Sequence, residues 1–284
     1  MVAYARLDFA RVGAHTALVR RRFTWPFFVG RQLSAPDVPA AAVTTIQSAS
    51  GTLNAGDRTT TALRVGKKAY AILRSQGAPS VHRSRDGHGV REATEIQVAE
   101  RGRAELLAEP RVLFPGSRYE QITEIRTSAG ACVIVGEGVI ALTGASGESF
   151  AEYIARLRVH RDDRLLVDEV NSTGPWVSVP GAIARYTAIG SVTIIVDESF
   201  DMPVFDRGWS DGTRYVASTS LPNGAGHIVR IAAADGMQLR RTFSETVDRV
   251  RAAIDIQFDS STTTEEVARP KGREPRGAPT RWEI

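Results

Sequence analysis

The chain has 284 residues, of which 42% are hydrophobic, 24% charged and 7% aromatic, a size and make-up that suit one large globular domain or two small ones. Its formal charge is +4, and arginine carries the positive side almost alone, since lysine occurs only at 67, 68 and 271 among 36 cationic residues. No apolar run is long enough to cross a bilayer, no N-terminal stretch has signal-peptide character, and Cys132 is the only cysteine; these exclude an intrachain disulfide and predict a reducing, cytoplasmic setting.

In chain order, the first distinctive feature is Arg20-Arg21-Arg22 beside Phe23, Trp25, Phe27 and Phe28. It reads as a strand with solvated arginines on one face. Ile96 and Val98 alternate with Glu95 and Gln97, a turn follows at Glu100-Arg101-Gly102, and Ala104 and Leu106 resume, which predicts a hairpin. Cys132-Val133-Ile134-Val135 follows a turn at Thr127–Gly130, and its thiol is expected in the core. Leu157 and Val159 alternate with arginines, and Leu165-Leu166-Val167 follows the polar turn Arg161–Arg164. Such runs, with turns about every ten residues, predict an all-β sandwich, barrel or solenoid.

Two helices are expected. A short one is placed at 182–189, between Pro180 and Gly190. A longer one has Phe243, Val247, Val250 and Ile254 on one face, with Thr242 and Glu245 as its capping box. From Asp259 the composition turns to Ser, Thr, Arg, Pro and Gly, so residues 1–258 are expected to fold and 259–284 to form a disordered tail. No internal repeat is visible.

Catalytic motifs are missing. Gly66-Lys67-Lys68 lacks the remainder of a P-loop, and Gly144-Ala145-Ser146-Gly147 has Glu148 where a nucleophile elbow needs glycine. His82, Asp86 and His88 match no closed tetrahedral metal site and read as a surface loop. No catalytic residue is assigned.

Several segments, in order, resemble one family. They are Leu7-Asp8-Phe9 with Gly13 and Pro26, the turn Ser50–Asp57, and Leu73–Ala78 with Val81-His82-Arg83-Ser84. After them come Glu109–Phe114 with Ser117-Arg118-Tyr119, then Glu137 with Gly147-Glu148-Ser149-Phe150, Arg164–Asp168, and Leu221-Pro222 leading to Arg230 and Arg251. Together, over roughly residues 5 to 255, they resemble the urease accessory protein UreD (UreH) family, as a divergent member with Ala55, Ala108-Glu109 and Leu142-Thr143 departing from the pattern.

The resemblance implies a β-rich, non-enzymatic scaffold of stacked, solenoid-like strands with about two helices. It implies binding to the urease apoprotein, to the helical accessory protein UreF and, through it, to the GTPase UreG, so that nickel reaches the urease active site. No stably bound cofactor, membrane or nucleic acid is expected. A conduit must hold nickel weakly, which suits scattered carboxylates better than a Cys or His cage. Asp57, Glu137 and Glu148 are the candidate nickel-transit carboxylates, each beside glycine in a family-like segment. Asp57 equally suits a turn cap and Glu148 an arginine pair. Two other classes remain open on the residues alone: a β-solenoid enzyme using these carboxylates as acid and base on an acidic polymer, and a basic nucleic-acid-binding protein.

Overall fold

The computed structural model describes residues 1–35, 38–84, 87–175, 185–197 and 208–267, with side chains left out at 35, 39 and 255–267. Two β-sheets lie face to face. The first has seven strands in the spatial order Arg164–Thr173, Glu152–Arg161, Arg118–Thr127, Val90–Val98, Arg58–Val65, Val2–Val12 and His15–Phe23. Its five middle strands run parallel, and each outermost strand closes an antiparallel hairpin. The second sheet has parallel strands Val38–Ser48, Tyr70–Gln76, Arg103–Leu107 and Cys132–Ala141 at its centre, continued antiparallel by Ala188–Ile195, Gly226–Ala233 and Arg214–Ser220.

From Arg58 to Arg161 the chain passes back and forth between the sheets, with the short strands Ser80–Val81 and Arg111–Leu113 following Tyr70–Gln76 and Arg103–Leu107 within the second sheet, so it winds as a flattened solenoid. Three four-residue turns carry it across at one end: Gly66–Ala69, Ala99–Gly102 and Ser128–Ala131. Each closes with a backbone bond, Ala69 N to Gly66 O at 3.2 Å, Gly102 N to Ala99 O at 2.9 Å and Ala131 N to Ser128 O at 3.1 Å. Each also has positive φ at its third residue, Lys68, Arg101 and Gly130, the geometry of a type II turn. The turns stack, with Lys68 N donating to Glu100 O and Arg101 N to Ala129 O, both at 3.1 Å. Gly102 sits in the stack where a Cβ would come within 2.9 Å of two carbonyl oxygens and 2.8 Å of Val98 Cγ1.

The all-β fold with solenoid-like stacking and a helix near the C-terminus matches the sequence expectation. Several local expectations are corrected. Val90–Val98 and Arg103–Leu107 are not a hairpin: they belong to different sheets, because the same turn chemistry can cross a sandwich as well as reverse a strand. The helix expected at 182–189 is contradicted at its end, where Ala188 and Ile189 open strand Ala188–Ile195; residues 182–184 lie outside the described residues. The long helix starts at Gly236, earlier than Thr242, and its cap is Asp235, whose Oδ1 accepts from Gln238 N at 2.8 Å. Thr242 lies inside that helix and donates back to Gln238 O. Its backbone continues past Asp259 to Val267; residues 268–284, with Asp86, lie outside the described residues.

Leu239, Phe243, Val247, Val250 and Ile254 pack the helix onto the outer face of the second sheet, against Ile134, Val192, Val229 and Ile231, with Cys132 buried among them. A buried ion cluster adds to this contact: Arg251 donates through Nε to Glu105 Oε2 at 3.0 Å, Arg103 reaches Glu105 Oε1 at 3.1 Å, and Tyr70 donates to the same carboxylate. Among the described residues, no helix is long and apolar enough to cross a membrane.

Candidate functional site: a polar belt inside the sandwich

The space between the sheets holds two apolar clusters. One, near the stacked turns, contains Leu7, Leu63, Ile96, Ile125, Val133 and Val135. The other, at the far end of the strands, contains Leu113, Tyr119, Val139, Phe150 and Tyr153. Between them the inward positions turn polar. Thr59, Glu92 and Gln121 form one cross-strand row, and Thr61, Thr94 and Thr123 form the next. Each shares its strand's inward parity with Leu63, Ile96 or Ile125, so the strand period turns it toward the opposite sheet; Thr59, Gln121 and Thr123 are buried and the other three half-buried. From the opposite sheet come Arg111 and Glu137, the latter in step with Val133, Val135 and Val139.

The belt's two carboxylates differ in their surroundings. Glu92 accepts from Arg111 Nε at 2.5 Å, Arg111 Nη2 at 3.3 Å, Tyr119 Oη at 2.8 Å and Thr59 Oγ1 at 3.1 Å. Burial works to raise its pKa, but the Arg111 charge and these donors outweigh it and hold the carboxyl below the usual range. Arg111 completes its bonding by donating to Glu109 O at 2.7 Å.

Glu137 has only neutral donors. Thr123 Oγ1 donates to it at 2.6 Å, and Gln121 also bonds to it. Burial pushes its carboxyl above the usual range, and the two donors with the more distant Arg111 charge offset this only in part. No ion-pair partner of Glu137 occurs among the described residues.

Glu137 also stands where two cavities meet. The larger, about 280 Å³, lies between Tyr153, Ala155 and Leu157 of one sheet and Ile189, Ser191 and Thr193 of the other. The ion pair of Glu169 with Arg230 lines it and joins the two sheets. The smaller, about 30 Å³, is lined by Thr59, Thr61, Glu92, Thr94 and Arg111, room for about one water. Gln121 and Glu137 line both. The arrangement offers a cation a sequence of oxygen donors with one formal negative charge left uncompensated.

The other two carboxylates singled out in the sequence lie elsewhere. Asp57 is buried and holds a turn: it accepts from Asn54 N at 2.8 Å and pairs with the α-amino group of Met1 at 2.7 Å. Glu148 is exposed and braces its own loop, accepting from Ser146 N at 3.2 Å, with no arginine paired to it among the described residues. Neither lines the two cavities beside Glu137, so the three carboxylates do not share a site. Among the described residues no group of three or more His, Cys, Asp or Glu is arranged to hold a metal ion. His82 packs against Phe114 with the rings tilted and their centroids 4.9 Å apart, and His88 is exposed. Glu92, Arg111, Tyr119 and Gln121 are not among the site residues expected from the sequence; the signal for three of them is inward parity carrying polar side chains.

A family model described as UreD urease accessory protein matches residues 1–259. The chain is 32% identical over 241 residues to the urease accessory protein UreD of Mycolicibacterium smegmatis, covering 83% of this chain and 86% of that protein. It is 28% identical over 254 residues to urease accessory protein UreD 2 of a Bradyrhizobium strain (BTAi1), covering 86% and 88%. It is 27% identical over 256 residues to the corresponding protein of Haloarcula marismortui, covering 87% and 85%. With a match of this extent over a solenoid-like all-β fold, the chain belongs to the UreD family of urease accessory proteins.

Proposed function

We propose that this protein is a non-enzymatic scaffold-chaperone for urease maturation. It binds the urease apoprotein and the UreF-type helical protein, and through the latter a UreG-type GTPase, and it passes nickel along the polar belt toward the urease active site. The work takes place in the cytoplasm, and nickel is cargo, held only in transit.

One observation carries this reading: Glu137, a carboxylate held between the sheets without an ion-pair partner among the described residues, lies where the two cavities meet. A divalent cation beside it would relieve the cost of its charge and favour the ionised form. One carboxylate with hydroxyl and amide oxygens is too sparse a set to trap nickel, which suits passage over storage. Glu92 is already neutralised by Arg111 and contributes little further attraction. Asp57 and Glu148 are engaged in turns, so the transit role is assigned to Glu137 first.

Deletion of the gene and complementation test this reading. Without the chain, urease polypeptide should accumulate at its normal level with little nickel and little activity, and the intact gene should restore both. Full urease activity in the deletion strain at low external nickel would end the proposal.

A further inference from the structure

Strand His15–Phe23 forms the edge of the seven-stranded sheet opposite strand Arg164–Thr173, and so lies at the other end from the larger cavity. Its outer backbone is partly sealed. Leu18 N donates to Gln32 Oε1 at 2.7 Å, and Gln32 Nε2 donates to Thr16 O at 3.1 Å. The pairing with Val2–Val12 also slips between Asp8 and Phe9, leaving Val19 as an extra residue. Both features discourage addition of a foreign strand, so this edge offers side chains to a partner.

Those side chains are of two kinds. The turn Thr24–Phe27, closed by Phe27 N to Thr24 O at 2.9 Å, carries Trp25 at its tip with 70% of its surface exposed. Phe28 is 54% exposed and meets Phe23 edge-to-face at 5.9 Å, and Tyr4, bonded through its backbone to Thr24, is 46% exposed. Beside them Arg20 and Arg22 stand opposite Asp8 and Arg6. Asp8 is shared between Arg6 and Arg20, while Arg22 faces Arg6 and has no ion-pair partner among the described residues. Like charges directly opposite each other are unfavourable, and an incoming carboxylate would relieve them.

We propose that this aromatic and arginine patch is the surface that docks the urease apoprotein, through a partner face that offers an apolar seat for Trp25 ringed by carboxylates. The proposal rests on the maturation reading above, which makes urease the client. Trp, Tyr and Arg dominate interface energetics, and the charge on this edge calls for an acidic counterpart. Phe27, the remaining aromatic of the segment, is partly buried against the core and is not part of the patch.

The test is co-expression of the full chain with tagged urease apoprotein and, separately, with the tagged helical accessory partner. Wild-type chain should be recovered with both. Trp25→Ala and Arg22→Glu should each reduce recovery with urease apoprotein at least about tenfold, leave recovery with the helical partner unchanged, and leave the thermal midpoint near wild type. Raising salt should weaken the wild-type urease complex more than the Arg22→Glu complex. Undiminished recovery of both variants with urease would overturn this surface assignment alone. Loss of the helical partner in place of urease would also overturn it, assigning the patch to another occupant. Failure of the wild-type chain to associate with urease at all would overturn the maturation reading and this proposal with it.

Discussion

Arg111 commits its guanidinium to Glu92, with contacts of 2.5 and 3.3 Å, and thereby leaves Glu137 as the carboxylate of the belt without an ion-pair partner among the described residues. The pair joins the two sheets, since Glu92 lies on Val90–Val98 and Arg111 on Arg111–Leu113. The same sandwich therefore contains one neutralised acid and one available acid, both lining the smaller cavity.

Removing one member of the pair should be costly. Arg111→Met leaves the largely enclosed Glu92 charge without its cation and should destabilise the protein by about 3–5 kcal/mol. The double variant Glu92→Gln with Arg111→Met should recover more than half of that loss, because Tyr119 and Thr59 can still bond to an amide. Denaturant unfolding of the two single variants and the double variant measures the coupling.

Glu137 should destabilise the fold in its ionised state. Its pKa is raised in the folded protein, so the folded state binds the proton more tightly than the unfolded chain. The stability this provides is present below the ordinary carboxylate range and is lost as pH rises through the raised folded value. Glu137→Gln should accordingly melt higher than wild type at pH 7, and the difference should shrink as pH falls toward 4.5. Thermal midpoints measured across that interval check the sign.

The helix should depend on Glu105, which is fully buried and bonded by Arg251, Arg103 and Tyr70. Arg251→Ala removes one charged partner and should cost about 1.5–3 kcal/mol. Amide hydrogen exchange should show the loss in 236–254 before the solenoid strands.

Gly102→Ala should strain the stacked turns. The added methyl would meet Val98 Cγ1 at 2.8 Å and the carbonyl oxygens of Ala99 and Gly66 at 2.9 Å, a cost of about 1–3 kcal/mol. Urea unfolding provides the measurement.

The sequence revealed the strand periods, the long helix face and the β-rich class, because each is a local pattern. The crossing of Ala99–Gly102 between sheets was hidden, since a four-residue turn with positive φ at Arg101 looks the same whether the next strand pairs with the last or lies across from it. Asp235 is hidden as the cap because the apolar stripe legible in the sequence begins only at Phe243, whereas the helix begins at Gly236. In the belt, Glu92, Gln121 and Glu137 could be read as acids and amides at inward parity, but Arg111 sits in a three-residue strand too short to show a period. Asp57 and Glu148 were singled out by the glycines around them, and the structure uses both to hold turns.

The nickel content of urease matured with Glu137→Ala tests the central claim most directly. The variant should still co-purify with urease apoprotein and the helical partner, while urease isolated from cells at limiting nickel should contain several-fold less metal than with wild-type chain. Restoration by Glu137→Asp would strengthen the assignment. Wild-type nickel loading in the alanine variant, with the complex intact, would contradict passage of nickel past this carboxylate.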